Sequence, residues 1–293
     1  FRGFFSPLAL SFRERFFLEN ITGFLDLPEG RQITRPVKFP TIQRGIRLEK
    51  ISFRYPDKIT PALKNVEMLF EPGKVTAIIG ENGSGKSTLV KLLARLYPPA
   101  QGNLKIDEVD FQVISPDNYY KNVSFIFQDF NQYNFSLADN VTFGKNEGNL
   151  QQSFEYAGLV PLIETFPDRE HTKLGRIFGN DHQLSGGEWQ KIGIARSLYM
   201  NRQVLIMDEP TSNLDPLAEY EILKKITEKK EGKIIVLVTH RLHNLKFADH
   251  VYLMEGGEVH AHGTVDHLMK HSSLFRSMYK RQQLETHVTT NSD

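Results

Sequence analysis

Two short segments of this sequence carry residue types whose spacing suits phosphate chemistry. The first, Gly80-Glu81-Asn82-Gly83-Ser84-Gly85-Lys86-Ser87, fits the pattern G-x-x-x-x-G-K-[ST]. Its glycines let backbone N–H groups curl around phosphates, with lysine and serine there for charge and metal. In that reading Lys86 addresses the β- and γ-phosphates, Ser87 offers its hydroxyl to Mg²⁺, and the nucleotide rests on Gly80, Asn82, Gly83, Ser84, Gly85 and Thr88. The second segment, Val204-Leu205-Ile206-Met207-Asp208-Glu209, is an apolar run ending in two acids. With the loop upstream, Asp208 is the expected metal partner and Glu209 the group that polarises an attacking water. On its own, the same run reads equally well as a buried strand ending in solvated acids.

The surrounding elements are those such a site needs. An apolar run at 75–79 leads into the loop as a strand, and a helix follows. Its apolar positions Leu89, Leu92, Leu93 and Leu96 fall on one face before Pro98-Pro99 stops it. This order puts a helix N-terminus, with free N–H groups and a positive dipole end, against the phosphates. The runs at 75–79, 204–207 and 234–238 are continuous rather than alternating, as in strands buried on both faces of a parallel sheet. Shorter β-prone runs at 46–53 and 62–70 flank the turn-like Tyr55-Pro56-Asp57-Lys58. Between about 130 and 200 helix-compatible segments dominate, for instance 150–157 and 188–198.

A third segment, Leu184-Ser185-Gly186-Gly187-Glu188, precedes an apolar-periodic run. Ser185 and Glu188 stand three apart, the spacing of a capping box, and the glycines leave the helix N-terminus open to an anion. Taken alone it reads more readily as a capped helix and nothing more.

Leu184-Ser185-Gly186-Gly187-Glu188, with its continuation Trp189-Gln190-Lys191-Ile192-Gly193-Ile194-Ala195-Arg196, resembles the signature motif and helix of ATP-binding cassette (ABC) proteins. Further landmarks follow that family's order over about 46–265. Tyr55 sits where the family stacks an aromatic on adenine. Gln128, after the strand at 123–127, resembles the glutamine that touches metal and water and senses the membrane domain. Ser212-Asn213-Leu214-Asp215 resembles the loop that couples two sites, and His240 the histidine on the γ-phosphate. The resemblance implies an α/β fold: a P-loop NTPase core with a mostly parallel sheet, an antiparallel β subdomain and an α-helical signature subdomain. It implies ATP and Mg²⁺ as cofactors, with Ser87, Gln128 and Asp208 toward the metal and Lys86, Gln128, Glu209 and His240 in catalysis. It also implies a second nucleotide-binding domain, which a homodimer would suit though an identical partner is left open, so that Ser185, Gly186, Gly187 and Asp215 complete the partner's ATP site. Glu188 departs from the commoner glutamine, a change that capping tolerates. Glu209 and His240 both match, which argues against a degenerate half that binds without hydrolysing.

Composition narrows the partners. The 293 residues carry 36 Lys+Arg against 35 Asp+Glu, a formal net charge of +1, so no nucleic acid is expected. The absence of cysteine excludes disulfides and thiolate metal sites. The lysines at 224, 225, 229, 230 and 233 interleave with Glu219, Glu221, Glu228 and Glu231, as on a solvated helix face with i,i+4 pairs. His260, His262, His267 and His271 show no zinc spacing.

At the N-terminal end Phe12, Phe16 and the segment 18–24 alternate with Arg13, Glu14, Arg15 and Glu19 at helical spacing, and Pro28, Gly30, Pro36 and Pro40 then punctuate a linker. Residues 1–40 thus read as the end of a membrane domain plus linker, and 41–293 as the nucleotide-binding domain, of which about 130–200 is the helical part. A first residue other than Met suggests a chain cut from something longer. No apolar run reaches the roughly 18 to 20 residues of a membrane span. These features resemble exporters, with the bacterial peptide or bacteriocin and multidrug exporters as the type. The implied place is the cytoplasmic face of the inner membrane, beside a transmembrane domain, with a transmitting surface at 128–134 and 172–176. Two other readings are kept: a soluble ABC ATPase acting on nucleic acid or ribosomes, and an importer subunit.

Overall fold

The computed structural model describes residues 15, 17–26, 36–175 and 183–290. The chain divides into two units between Pro36 and Val37. In the first, residues 17–25 are helical, with Phe17, Leu18, Ile21, Phe24 and Leu25 exposed. Phe12, Arg13, Glu14, Phe16, Pro28 and Gly30 lie outside the described residues, as does Arg176.

The second unit holds two sheets. Alternating burial along β1 (Ile46–Phe53) and β2 (Leu63–Phe70) marks a sheet with one face on the core. It is antiparallel in the order β2-β1-β4-β5, with β4 (Gln101–Ile106) and β5 (Val109–Asp110) unread in the sequence. The larger sheet runs β10-β9-β3-β8-β7-β6. Here β3 (Lys74–Gly80), β6 (Val123–Ile126), β7 (Val204–Asp208), β8 (Ile234–Val238) and β9 (His250–Glu255) are parallel. Edge strand β10 (Glu258–Gly263) is antiparallel to β9. Every residue of β7 and β8 is buried, the consequence of helices on both faces. The fold is therefore α/β with a mostly parallel sheet and an antiparallel β subdomain.

Register positions the chemistry. Ile78 pairs with Val238, and Val238 with Asp208, so β3, β8 and β7 end level at their carboxyl edge. The residues that follow, from Gly80, Glu209 and His240 onward, must emerge side by side there, where open α/β sheets bind ligands.

Helix α1 (Lys86–Leu93) opens after Gly85, which holds φ +103° and gives no side-chain cap, so the first N–H groups stay free. It buries Leu89, Leu92 and Leu93, but not Leu96, which is 57% exposed. The helix ends at Leu93 rather than at Pro98: Arg95 turns left-handed at φ +56°, and its guanidinium donates to Ile114 O at 2.6 Å. After the short α2 (Pro116–Tyr120), the region beyond 130 holds α3 (Leu137–Thr142), α4 (Leu150–Tyr156), α5 (Val160–Glu164) and α6 (Gly186–Tyr199). Trp189, Ile192 and Ala195 of α6 pack with Leu137, Phe154 and Ile163 in one apolar cluster. Helices α7 (Pro216–Glu228), α8 (Val265–His271) and α9 (Ser273–Thr290) complete the chain. Among the described residues no helix is long and apolar enough to cross a membrane.

On α7 the expected solvated acidic face is corrected at Glu219. Lys224 and Glu228 do pair at 3.8 Å across one turn. Glu219, however, is 1% exposed and bonded to Thr211, Arg241 and Asn244.

Candidate functional site

The phosphate loop bends because its glycines do what other residues cannot. A Cβ on Gly80 would stand 2.3 Å from Met254 O, and one on Gly85 would meet Ala62 O at 2.8 Å. Lys86 folds back over the loop, its Nζ donating to Gly80 O at 2.8 Å and Glu81 O at 3.0 Å, with Ser84 Oγ at 3.4 Å. Burial draws the Lys86 ammonium below its ordinary pKa, while the charges of Glu209 and Asp208 oppose that shift. The loop thus keeps a cation in hand whose present partners are neutral carbonyls, replaceable by anionic oxygens.

A cleft of about 730 Å³ opens at the carboxyl edge of the sheet. Gly80, Asn82, Gly83, Gly85, Lys86, Ser87, Thr88, Gln128, Glu209 and His240 all line it. Ser84 lies beneath, lining an adjoining pocket. Glu209 Oε1 and His240 Nδ1 are 2.9 Å apart, and the Glu209 side chain is 15% exposed. Glu209 itself adopts φ +48°, sparsely populated for a residue with a side chain, and its N–H donates to Val238 O at 3.0 Å. That turn, right after β7, swings the carboxylate out of the strand line toward His240.

Asp208, one residue earlier, stays in the strand, 5% exposed. Its Oδ1 is buried with no protein partner among the described residues. Burial pushes the carboxyl above its ordinary range, the Ser87 hydroxyl counters this, Glu209 adds to it and Lys86 opposes it. A buried carboxylate oxygen without a partner, beside a serine hydroxyl, fits a hard divalent cation.

Other expected residues lie apart from the cleft. Tyr55 is not among the lining residues: it is wedged edge-on between Phe53 (4.9 Å between centroids) and Tyr97 (5.3 Å), with its hydroxyl 3.3 Å from Oγ1 of the lining residue Thr88. Ser185, Gly186, Gly187 and Asp215 do not line it. Ser185 caps α6 in a closed capping box: its hydroxyl accepts from Glu188 N at 3.3 Å, and its N–H donates to Glu188 Oε2 at 2.7 Å. Asp215 caps α7, accepting from Leu217 N and Ala218 N. Gln190 on α6, 2% exposed, joins these pieces. Its amide donates to Ser212 Oγ at 3.2 Å and Glu209 O at 3.4 Å, and accepts from Asn213 N at 2.8 Å.

The model of the ABC transporter family matches residues 63–212, just over half of the chain. This chain belongs to that family. It is an ABC-type ATPase domain, with ATP as its nucleotide. It is 33% identical over 249 residues to the nisin transport ATP-binding protein of Lactococcus lactis subsp. lactis, covering 82% of this chain and 41% of that one. To a probable multidrug resistance ABC transporter ATP-binding/permease protein of Bacillus subtilis (strain 168) it is 32% identical, covering 80% and 40%. A bacterial Atm1-family ABC exporter with ATP bound superposes with a TM-score of 0.82 at 24% identity, over 90% of this chain and 46% of that one, a likeness of fold. The chain spans less than half the length of these relatives.

Four residues of the ABC cleft were not anticipated: Ala62, Met278, Arg281 and Gln282. Ala62 was read as the first residue of β2, which begins at Leu63. The last three come from α9, about 200 residues from the loop, where the only local signal is an apolar stripe ending in a glutamine.

Proposed function

We propose that this ATPase domain is the motor of an exporter, working as a pair of copies that close around two ATP and drive an attached membrane domain. The observation that carries the reading is the Glu209–His240 pair at 2.9 Å, facing Lys86 and Gln128 across one cleft. Lys86 exchanges its loop carbonyls for the β- and γ-phosphates. Glu209 accepts a hydrogen bond from the attacking water and aligns it with the γ-phosphorus, and His240 steadies both carboxylate and phosphate oxygen. Mg²⁺, held by Ser87 and Asp208 with Gln128 near, would neutralise charge on the phosphate oxygens. Tyr55, with its hydroxyl against Thr88, offers the ring margin for adenine.

The capped helix start at Ser185, Gly186 and Gly187, with Asp215, does not line this chain's own cleft, which suits a role on the ATP of the second copy. The surface at 128–134 and 172–176 serves as the transmitter. Leu137 N donates to Thr172 O at 3.0 Å and Leu174 N to Phe135 O at 2.9 Å, so the chain just after 134 is knitted to the second segment. Residues 1–40 are the end of the membrane domain with its linker, which the exposed apolar face of the helix at 17–25 favours, and 41–293 are the motor. The domain then works at the cytoplasmic face of the membrane. The relatives named for transport of nisin and for multidrug resistance support export, without fixing the cargo.

The test is the Mg-ATPase rate per monomer against protein concentration, with Glu209→Gln as control. A specific rate that climbs with concentration and vanishes in Glu209→Gln, while ATP binding persists, is the expected result. Near-normal turnover in Glu209→Gln removes that carboxylate from the mechanism. A flat rate from a protein that sediments as a monomer removes the shared site.

A further inference from the structure

The family match ends at residue 212, yet the cleft is lined on one side by the C-terminal helix α9. Phe275, Met278, Tyr279 and Gln282 recur at i, i+3, i+4 and i+7 and so share one helix face. Phe275 is fully buried in an apolar cluster with Leu242 and Leu245, which follow His240 directly, and Met278 and Tyr279 pack against the same cluster. The fourth position of this apolar stripe is an amide. Gln282 Oε1 accepts from Leu242 N at 2.7 Å, and Gln282 Nε2 donates to His240 O. One side chain therefore grips the backbone on both sides of Arg241. The neighbouring Arg281–Glu81 pair, 3.1 Å long, is solvent-exposed at both ends and contributes little.

We propose that Gln282 is a positioning residue for hydrolysis, fixing the turn that carries His240 and hence the His240–Glu209 pair. The inference rests on the catalytic reading of His240 given above. A leucine at 282 continues the apolar stripe and keeps the helix docked, but releases both backbone groups, and His240 is then free to drift from Glu209. A glutamate keeps the bond from Leu242 N and cannot donate to His240 O. Neither change alters the loop at 80–88, which supplies the main contacts to the nucleotide, so the loss is expected in turnover before affinity.

Mg-ATPase kinetics of Gln282→Leu, Gln282→Glu and His240→Ala in the whole chain, each checked by thermal melting, decide the matter. The expected result is a kcat lowered roughly tenfold in Gln282→Leu, part of the roughly hundredfold that a 1 Å misplacement can cost. KM for ATP should stay within about twofold, and Gln282→Glu should fall between Gln282→Leu and wild type. The proposal is overturned by a kcat within about twofold of wild type in both Gln282 variants, or by a loss expressed in KM instead. If His240→Ala keeps its turnover, the catalytic reading itself fails. If His240→Ala is inactive and Gln282→Leu is not, only the role of Gln282 is lost.

Discussion

Arg241 Nη1 lies 2.6 Å from Glu219 Oε2, an ion pair whose carboxylate is only 1% exposed. It joins helix α7 to the turn after His240. The same guanidinium donates to Ser212 O at 2.9 Å, and Glu219 Oε1 accepts from Thr211 at 2.5 Å and from Asn244 at 2.7 Å. The chain just beyond Glu209 and the chain just beyond His240 are thus tied to one carboxylate. Gln190 also holds the 209–213 turn, through Glu209 O and Asn213 N.

Removing that carboxylate takes from a partly buried guanidinium its charge partner and from Thr211, Asn244 and His243 a hydrogen-bond partner. Glu219→Ala should therefore cost roughly 3 kcal/mol of folding stability, since losing one member of a buried pair strands the other. Urea unfolding followed by circular dichroism measures it, and a cost under about 1 kcal/mol would mean the network is held together by its remaining members.

The same group sets a pH dependence. Burial pushes the Glu219 carboxyl upward, but hydrogen bonds from Thr211, Asn244 and Arg241, with the charge of Arg241, outweigh it and hold the group below the ordinary glutamate range. A carboxyl depressed in the folded state stabilises the fold at pH values above its unfolded pKa, and the gain is lost as pH falls through the folded value. The gap in unfolding midpoint between wild type and Glu219→Gln should shrink as pH falls below about 5. A gap that does not change down to the acid limit of the fold would contradict the assignment.

Gly80→Ala tests the loop. An added Cβ 2.3 Å from Met254 O forces β3 and β9 apart at the point where the loop leaves the sheet. ATP binding should weaken by at least about tenfold, because the loop N–H groups lose their common focus. Fluorescent nucleotide titration reads this, and unchanged affinity would show that the strand ends can yield.

Much of this site could be read from sequence because its parts are local. Lys86 and Ser87 follow a strand and open a helix within a dozen residues, Glu209 ends an apolar run, and Ser185 with Glu188 forms a capping box that the structure closes. Glu219 was misread because its spacing to the lysines around it matches a solvated face; its true partners, Arg241 and Asn244, lie more than 20 residues away. Leu96 was misplaced because helical periodicity does not register the left-handed turn at Arg95. The place of Gln282 at the end of an apolar stripe does not reveal its role, since its bonds to His240 and Leu242 cross about 40 residues.

The level ends of β3, β7 and β8 set a limit on how this chain can change in length. Each strand advances about 3.3 Å per residue. Losing or gaining one residue inside any of the three would shift Gly80, Glu209 or His240 by about that distance relative to the other two, more than a hydrogen bond can span, and would turn its side chain to the opposite face. The strands therefore act as a set of matched rulers. A change of length is better borne by a connection such as 143–149, which lies between two helices and belongs to no strand.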